Sequence, residues 1–200
     1  IFEGISLSIP HNARIAIVGR NGVGKTTLLR ILIGQDFPNT GEVQHARDLT
    51  IGYLPQEATL ITNGTLWDHC LAVFSGILEM QEKLETCMAE MSDPERAEEA
   101  VARYGTLEEA FERQGGYTYE VRIKQTLAGL GFDENDYHRP ITQLSGGQRT
   151  RALLARLLLE SPDVMMLDEP TNHLDIQAVE WLESFLKDWD GALVVVSHDR

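Results

Sequence analysis

Apolar residues along this chain follow three rhythms, and each predicts a different kind of element. In IFEGISLSIP, Ile5, Leu7 and Ile9 alternate with Ser6 and Ser8, the period-two pattern of a half-buried strand. RIAIV (Arg14 to Val18), VMML (Val164 to Leu167) and ALVVVS (Ala192 to Ser197) are unbroken apolar runs, as expected of parallel strands buried in a sheet. EVQHARDLTIGYLPQE (Glu42 to Glu57) holds further short β-type runs. Elsewhere the spacing lengthens to three or four. TLLRILIG (Thr27 to Gly34) reads as a helix closed by glycine. Ile77, Met80, Leu84, Cys87 and Met91 form one amphipathic stripe. Ala97, Val101, Tyr104, Leu107 and Phe111 form a second, ended by Gly115-Gly116. Ser92-Asp93-Pro94 lies between them and offers a cap and a first-turn proline, so an acidic antiparallel helical hairpin is expected. A further helix is predicted over about Tyr119 to Leu130, and another over Gln148 to Glu160, with Leu153, Leu154, Leu157 and Leu158 inward.

Strand, loop, helix, a β-like stretch, a long helical insert, then helix, strand, helix, strand is the order of an interrupted α/β domain. Residues 1–56 and 144–200 are expected to form the α/β core, and residues 57–143 a helical subdomain with an arm-like hairpin. Two hundred residues suit one such domain, and no repeat is evident. Acidic residues outnumber basic ones 31 to 17, for a net charge of −14, which repels bulk nucleic acid and anionic membrane. Direct DNA binding is not expected, and any RNA contact would have to be local. Two scattered cysteines, Cys70 and Cys87, make no disulfide framework and fit a reducing cytosol. No apolar run nears the roughly 18 residues of a membrane span, so membrane insertion is not expected and the cytoplasm is. The chain starts without methionine and stops after an apolar run, which reads as a domain excised from a longer polypeptide.

The chemistry sits at strand ends. GRNGVGKTT fits GxxxxGK[ST] with Gly19, Gly24, Lys25 and Thr26, between a predicted strand and a predicted helix. Glycines let backbone N–H groups form a concave nest, and the helix start adds partial positive charge. Gly19, Asn21, Gly22, Val23, Gly24, Lys25, Thr26 and Thr27 are therefore candidate nucleotide-binding residues. Lys25 would reach the β- and γ-phosphates, and the Thr26 hydroxyl would ligate Mg2+. Asp168 ends the VMML run, where open α/β sheets place their ligands, and can hold Mg2+. Glu169 beside it can polarise an attacking water, and His198, ending the last run, can contact phosphate and water. Gln56 in YLPQE is open to two readings, a turn residue or a metal-sensing one.

A second glycine loop, Ser145-Gly146-Gly147-Gln148, also runs into a helix and offers N–H groups, a hydroxyl and a dipole to an anion. The first loop already provides for one set of phosphates. The second is therefore expected to serve a nucleotide held by another copy or another domain.

GRNGVGKT, Gln56, LSGGQ, VMMLDEP, NHLD and His198 together resemble, in order and spacing, the motif set of ATP-binding-cassette ATPases, and the match runs along the whole chain. The resemblance implies a P-loop (RecA-like) core with a mainly parallel sheet, a small antiparallel β subdomain and an inserted helical subdomain. It implies two cassettes packed head to tail around two ATP, with Lys25 and Thr26 on phosphate and Mg2+, and Gln56 and Asp168 around the metal. Glu169 is then the general base, His198 touches the γ-phosphate, and Ser145, Gly146, Gly147 and Gln148 act on the partner's ATP. The family's adenine-stacking aromatic normally precedes the opening strand; Phe2 reads as a core side chain instead.

DEPTNHLDIQAVEWLESFL is similar to the ABC-F branch: soluble proteins with two cassettes on one chain that act on ribosomes. QGGYTYEVRIKQTLAGLGF and EWLE…VVVSHDR resemble that branch's amino-terminal cassette. The acidic hairpin is either an arm suited to protein rather than RNA, or a solvated face. The alternative class is the nucleotide-binding subunit of a membrane transporter. A chromosome or repair ATPase is disfavoured, because the insert is short and lacks cysteine clusters.

Overall fold

The computed structural model describes residues 3–56 and 63–198. In order come β1 (Arg14–Val18), α1 (Lys25–Leu32), β2 (Ile51–Leu54), α2 (Leu66–Leu71), α3 (Ser75–Glu90), α4 (Ala97–Arg113), α5 (Tyr119–Gly129), α6 (Gly146–Glu160), β3 (Val164–Asp168), α7 (Ile176–Asp188) and β4 (Ala192–Ser197). The strands form one parallel sheet in the order β1-β4-β3-β2. Apolar runs without alternation belong in the middle of such a sheet, and β3 is buried at every residue.

Each face of the sheet has its own apolar layer. Leu29 of α1 meets Met166, Val194 and Val196 on one side. On the other, Met165, Leu167 and Leu193 join α6 through Leu154, Leu157 and Leu158. This second layer continues into Phe74, Ile123 and Leu127 of the helical insert, so core and insert share a single apolar cluster. At Gly52 a Cβ would lie 2.1 Å from Leu157 Cδ1, so the absent side chain lets α6 lie directly on β2.

Several expectations need correction. RIAIV forms β1 as expected, but at the sheet's edge, where exposed and half-buried residues alternate. Residues 5–10 form no strand; among the described residues no strand lies beside the segment to take its hydrogen bonds, and Ile5 and Leu7 are left exposed. Of the stretch from Glu42, only Ile51–Leu54 becomes a strand, and it joins β3 in parallel. Asp163 anchors that pairing by accepting from the N–H and hydroxyl of Thr50, at 2.8 and 2.6 Å. Among the described residues, therefore, no antiparallel β subdomain forms. The α3–α4 hairpin is present, but Ser92-Asp93-Pro94 shapes its turn rather than the first turn of α4. The Asp93 carbonyl accepts from the N–H groups of Arg96 and Ala97, and α4 starts only at Ala97. Phe2 lies outside the described residues.

In α2, Thr65 and Asp68 form a capping box that seats His69 and Cys70 in the interior. Burial, reinforced by Arg156 and opposed by Glu160, pushes the His69 imidazole down to about 4. A folded-state pKa below the unfolded 6.5 means that the unfolded chain binds the proton more readily. The contribution is thus complete above pH 6.5 and fades as the pH falls towards about 4. Denaturation midpoints measured across that window should fall for the wild type and fall less steeply for His69→Leu. A parallel decline in both proteins would rule His69 out as the source.

Candidate functional site

The first glycine loop leaves β1 and enters α1. Gly22 and Gly24 have φ of 78° and 104°, left-handed values that side-chain-bearing residues adopt only at a cost. Gly24 is also the N-cap of α1 and supplies no side-chain cap, so the helix starts with N–H groups available to an anion. Lys25 is buried, and its Nζ donates to the carbonyl oxygens of Gly19 at 2.7 Å and Arg20 at 3.2 Å. Those carbonyls hold the ammonium at the rim of the loop. A Cβ on Gly19 would lie 3.3 Å from Val23, so the first position of the motif is sterically tight.

Next to the loop, β3 delivers its carboxylates. The Thr26 hydroxyl donates to Asp168 Oδ2 at 2.6 Å, tying α1 to the end of β3. Glu169 has φ of 54°, and its N–H donates to the Val196 carbonyl at 3.0 Å, so β4 holds the strained turn in place. Its Oε2 lies 2.8 Å from Nδ1 of His198, directly after β4. Asp168 and Glu169 are only 2% and 8% exposed, yet both border an open pocket of about 420 Å3. Asn21, Gly22, Gly24, Lys25, Thr26, Thr27 and Gln56 complete its lining. Gln56 reaches it because β2 lies beside β3. Gly19 contributes through its carbonyl, and Val23, 42% exposed, lies outside the lining.

This pocket suits a polyphosphate with Mg2+. A cation, a helix start and a glycine turn face the anion, while Thr26 and Asp168 present hard oxygen donors side by side. Among the described residues no cluster of three or more His, Cys, Asp and Glu forms a self-sufficient metal cage. The donor set fits a small cation that shares its coordination with phosphate oxygens and water.

Ser145, Gly146, Gly147 and Gln148 do not line this pocket. Ser145 caps α6 in a reciprocal box: its hydroxyl oxygen accepts from Gln148 N at 3.2 Å, and Gln148 Oε1 accepts from Ser145 N at 3.0 Å. Capping uses a lone pair, so the hydroxyl proton can still be donated outward. A Cβ on Gly146 would meet nothing within 4 Å, and one on Gly147 would lie 3.4 Å from His173 Nδ1. An anion can therefore approach this helix start closely.

Sequence reasoning missed the residue that holds this second loop. Arg149 donates from Nε to the Leu144 carbonyl at 3.1 Å and from its guanidinium to the Thr142 carbonyl at 3.0 Å. A cation in the first turn opposes the helix dipole, and that misfit was the available signal. Tyr53 was passed over as well. Burial, with the Asp168 carboxylate next, raises its phenol above the usual value, while Arg30 works the other way.

The sequence profile of the ABC transporter family matches residues 2–172. The Bacillus subtilis protein YdiF, named as an ATP-binding protein, is 43% identical over all of this chain and 32% of its own length. The energy-dependent translational throttle protein EttA of Escherichia coli K12 is 40% identical over all of this chain and 36% of its own. The chain thus spans about a third of the length of these curated relatives. Among solved structures, the complex of archaeal ribosomal stalk protein aP1 with the ribosome recycling factor aABCE1 superposes with a TM-score of 0.62 at 26% identity. It covers 94% of this chain and 29% of that one. With its parallel sheet, its phosphate loop and this profile, the chain belongs to the ABC transporter family and is an ATP-binding cassette related to EttA.

Proposed function

We propose that the cassette binds and hydrolyses ATP, closes head to tail on a second cassette, and works in the cytoplasm as part of a ribosome-associated factor of the ABC-F type. The observation that carries this reading is the convergence of Lys25, Thr26, Asp168 and Glu169 on one pocket that Ser145 to Gln148 do not line. A loop built to meet an anion, but set apart from its own chain's pocket, is suited to a nucleotide held elsewhere. Residues 1–56 and 144–200 form the nucleotide-handling core, and residues 57–143 a helical subdomain with an arm-like hairpin. In the proposed reaction Lys25 exchanges the Gly19 and Arg20 carbonyls for phosphate oxygens. Thr26, Asp168 and Gln56 would hold Mg2+, which when bound neutralises charge developing on the phosphates. Glu169 accepts a proton from water as its oxygen bonds to the γ-phosphorus and the bond to the β-phosphate oxygen breaks. His198 keeps the Glu169 carboxylate aimed and contacts the γ-phosphate.

The ribosome part rests on the 40% identity to a translational throttle protein and on the resemblance to a recycling factor. No helix among the described residues is long and apolar enough to cross a membrane. The full chain carrying Glu169→Gln should sediment with ribosomes in ATP and not in ADP. Recovery with a membrane partner instead would move the cassette to the transporter class.

A further inference from the structure

Tyr53 is the only residue of β2 whose side chain carries a polar atom. In the parallel register it faces Met166, and Asp168 lies two residues further along β3 on the same side of the sheet. Such diagonal neighbours are within reach of an aromatic side chain. The ring packs in the layer formed by Leu29, Met166, Val194 and Val196. There the phenol oxygen is enclosed and makes no hydrogen bond of ordinary geometry. Two charged groups act on it, the Asp168 carboxylate and the Arg30 guanidinium, and the latter contact falls short of an ordinary hydrogen bond. Phenylalanine would fill the same space without leaving a donor unused. The acceptor on hand is Asp168, whose Oδ2 takes the Thr26 proton and whose other oxygen has capacity left.

We propose that Tyr53 is a positioning residue for Asp168, its hydroxyl donating to that carboxylate once nucleotide and metal are bound and so fixing the angle at which Asp168 meets the metal. The inference rests on the reading of Asp168 as a metal-facing residue. It makes the hydroxyl idle in the ligand-free state and engaged in the loaded one. Hydrogen bonds of this kind behind a metal-facing carboxylate typically govern about ten- to a hundredfold in metal affinity.

The test compares wild type and Tyr53→Phe in the full chain, titrating ATP by calorimetry over a series of Mg2+ concentrations and recording thermal unfolding without ligand. Tyr53→Phe should unfold at the same temperature or higher and bind ATP equally without Mg2+. It should need about tenfold more Mg2+ for half-maximal tightening of ATP binding. An unchanged Mg2+ midpoint overturns the proposal. A ligand-free protein that unfolds earlier overturns it too, because the hydroxyl would then serve the fold. If wild-type ATP binding ignores Mg2+ altogether, the reading of Asp168 fails, and the role of Tyr53 fails with it.

Discussion

Glu169→Gln should hold ATP as the wild type does and turn it over about a hundred to ten thousand times more slowly, the range ascribed to a positioned general base. That loss corresponds to roughly 3–5 kcal/mol of barrier. The substitution keeps the size and planarity of the side chain and removes only its basicity. Its amide oxygen can still accept from His198, which lies 2.8 Å from the carboxylate in the wild type. The left-handed backbone at this residue, φ 54°, burdens glutamine as it does glutamate, so folding should be little affected. Phosphate release under saturating Mg2+ and ATP, with calorimetric ATP affinity alongside, separates chemistry from binding. Turnover near the wild-type rate would remove Glu169 from the base role.

Lys25→Ala should act on binding itself. In the ligand-free chain the ammonium rests on the Gly19 and Arg20 carbonyls, both neutral acceptors. Phosphate oxygens carry negative charge, so the ammonium gains an ion-pair attraction there that neutral carbonyls do not supply. A loss of about a hundredfold in ATP affinity is expected, or about 2.7 kcal/mol. Lys25→Arg should not restore it, because a planar guanidinium does not fit a place shaped for a compact ammonium between two carbonyls. Calorimetry that returns the wild-type affinity for the alanine variant would count against the phosphate cradle.

What the sequence made legible was set by how local the determining physics is. The glycine turn, the buried runs at Val164 and Ala192, and the acidic pair closing β3 depend on neighbours within a few residues, and each reads directly from the chain. Strand order is not local. RIAIV has the apolarity of a central strand, but Leu193 and its neighbours occupy only one of its sides, which makes β1 an edge. The Ile5–Leu7–Ile9 alternation is equally ambiguous, since period two records a preference for a half-buried surface and not the presence of a partner. Within the site, Lys25, Thr26 and Asp168 announced themselves by motif. Tyr53 did not, because it acts across the sheet, and Arg149 showed only as a cation misplaced in a first turn, since the carbonyls it folds back on carry no side-chain signal.

Leu157 has a further consequence where it rests on Gly52. That contact sits near the carboxyl end of α6, whereas Gly146 opens its other end, eleven residues or about 16 Å away at the usual helical rise. Along the helix Thr150, Ala152, Leu154 and Leu158 are buried, so it is clamped between sheet and insert and acts as a rigid spacer. The place of the second glycine loop is therefore set by the packing of α6 and not by the loop's own residues.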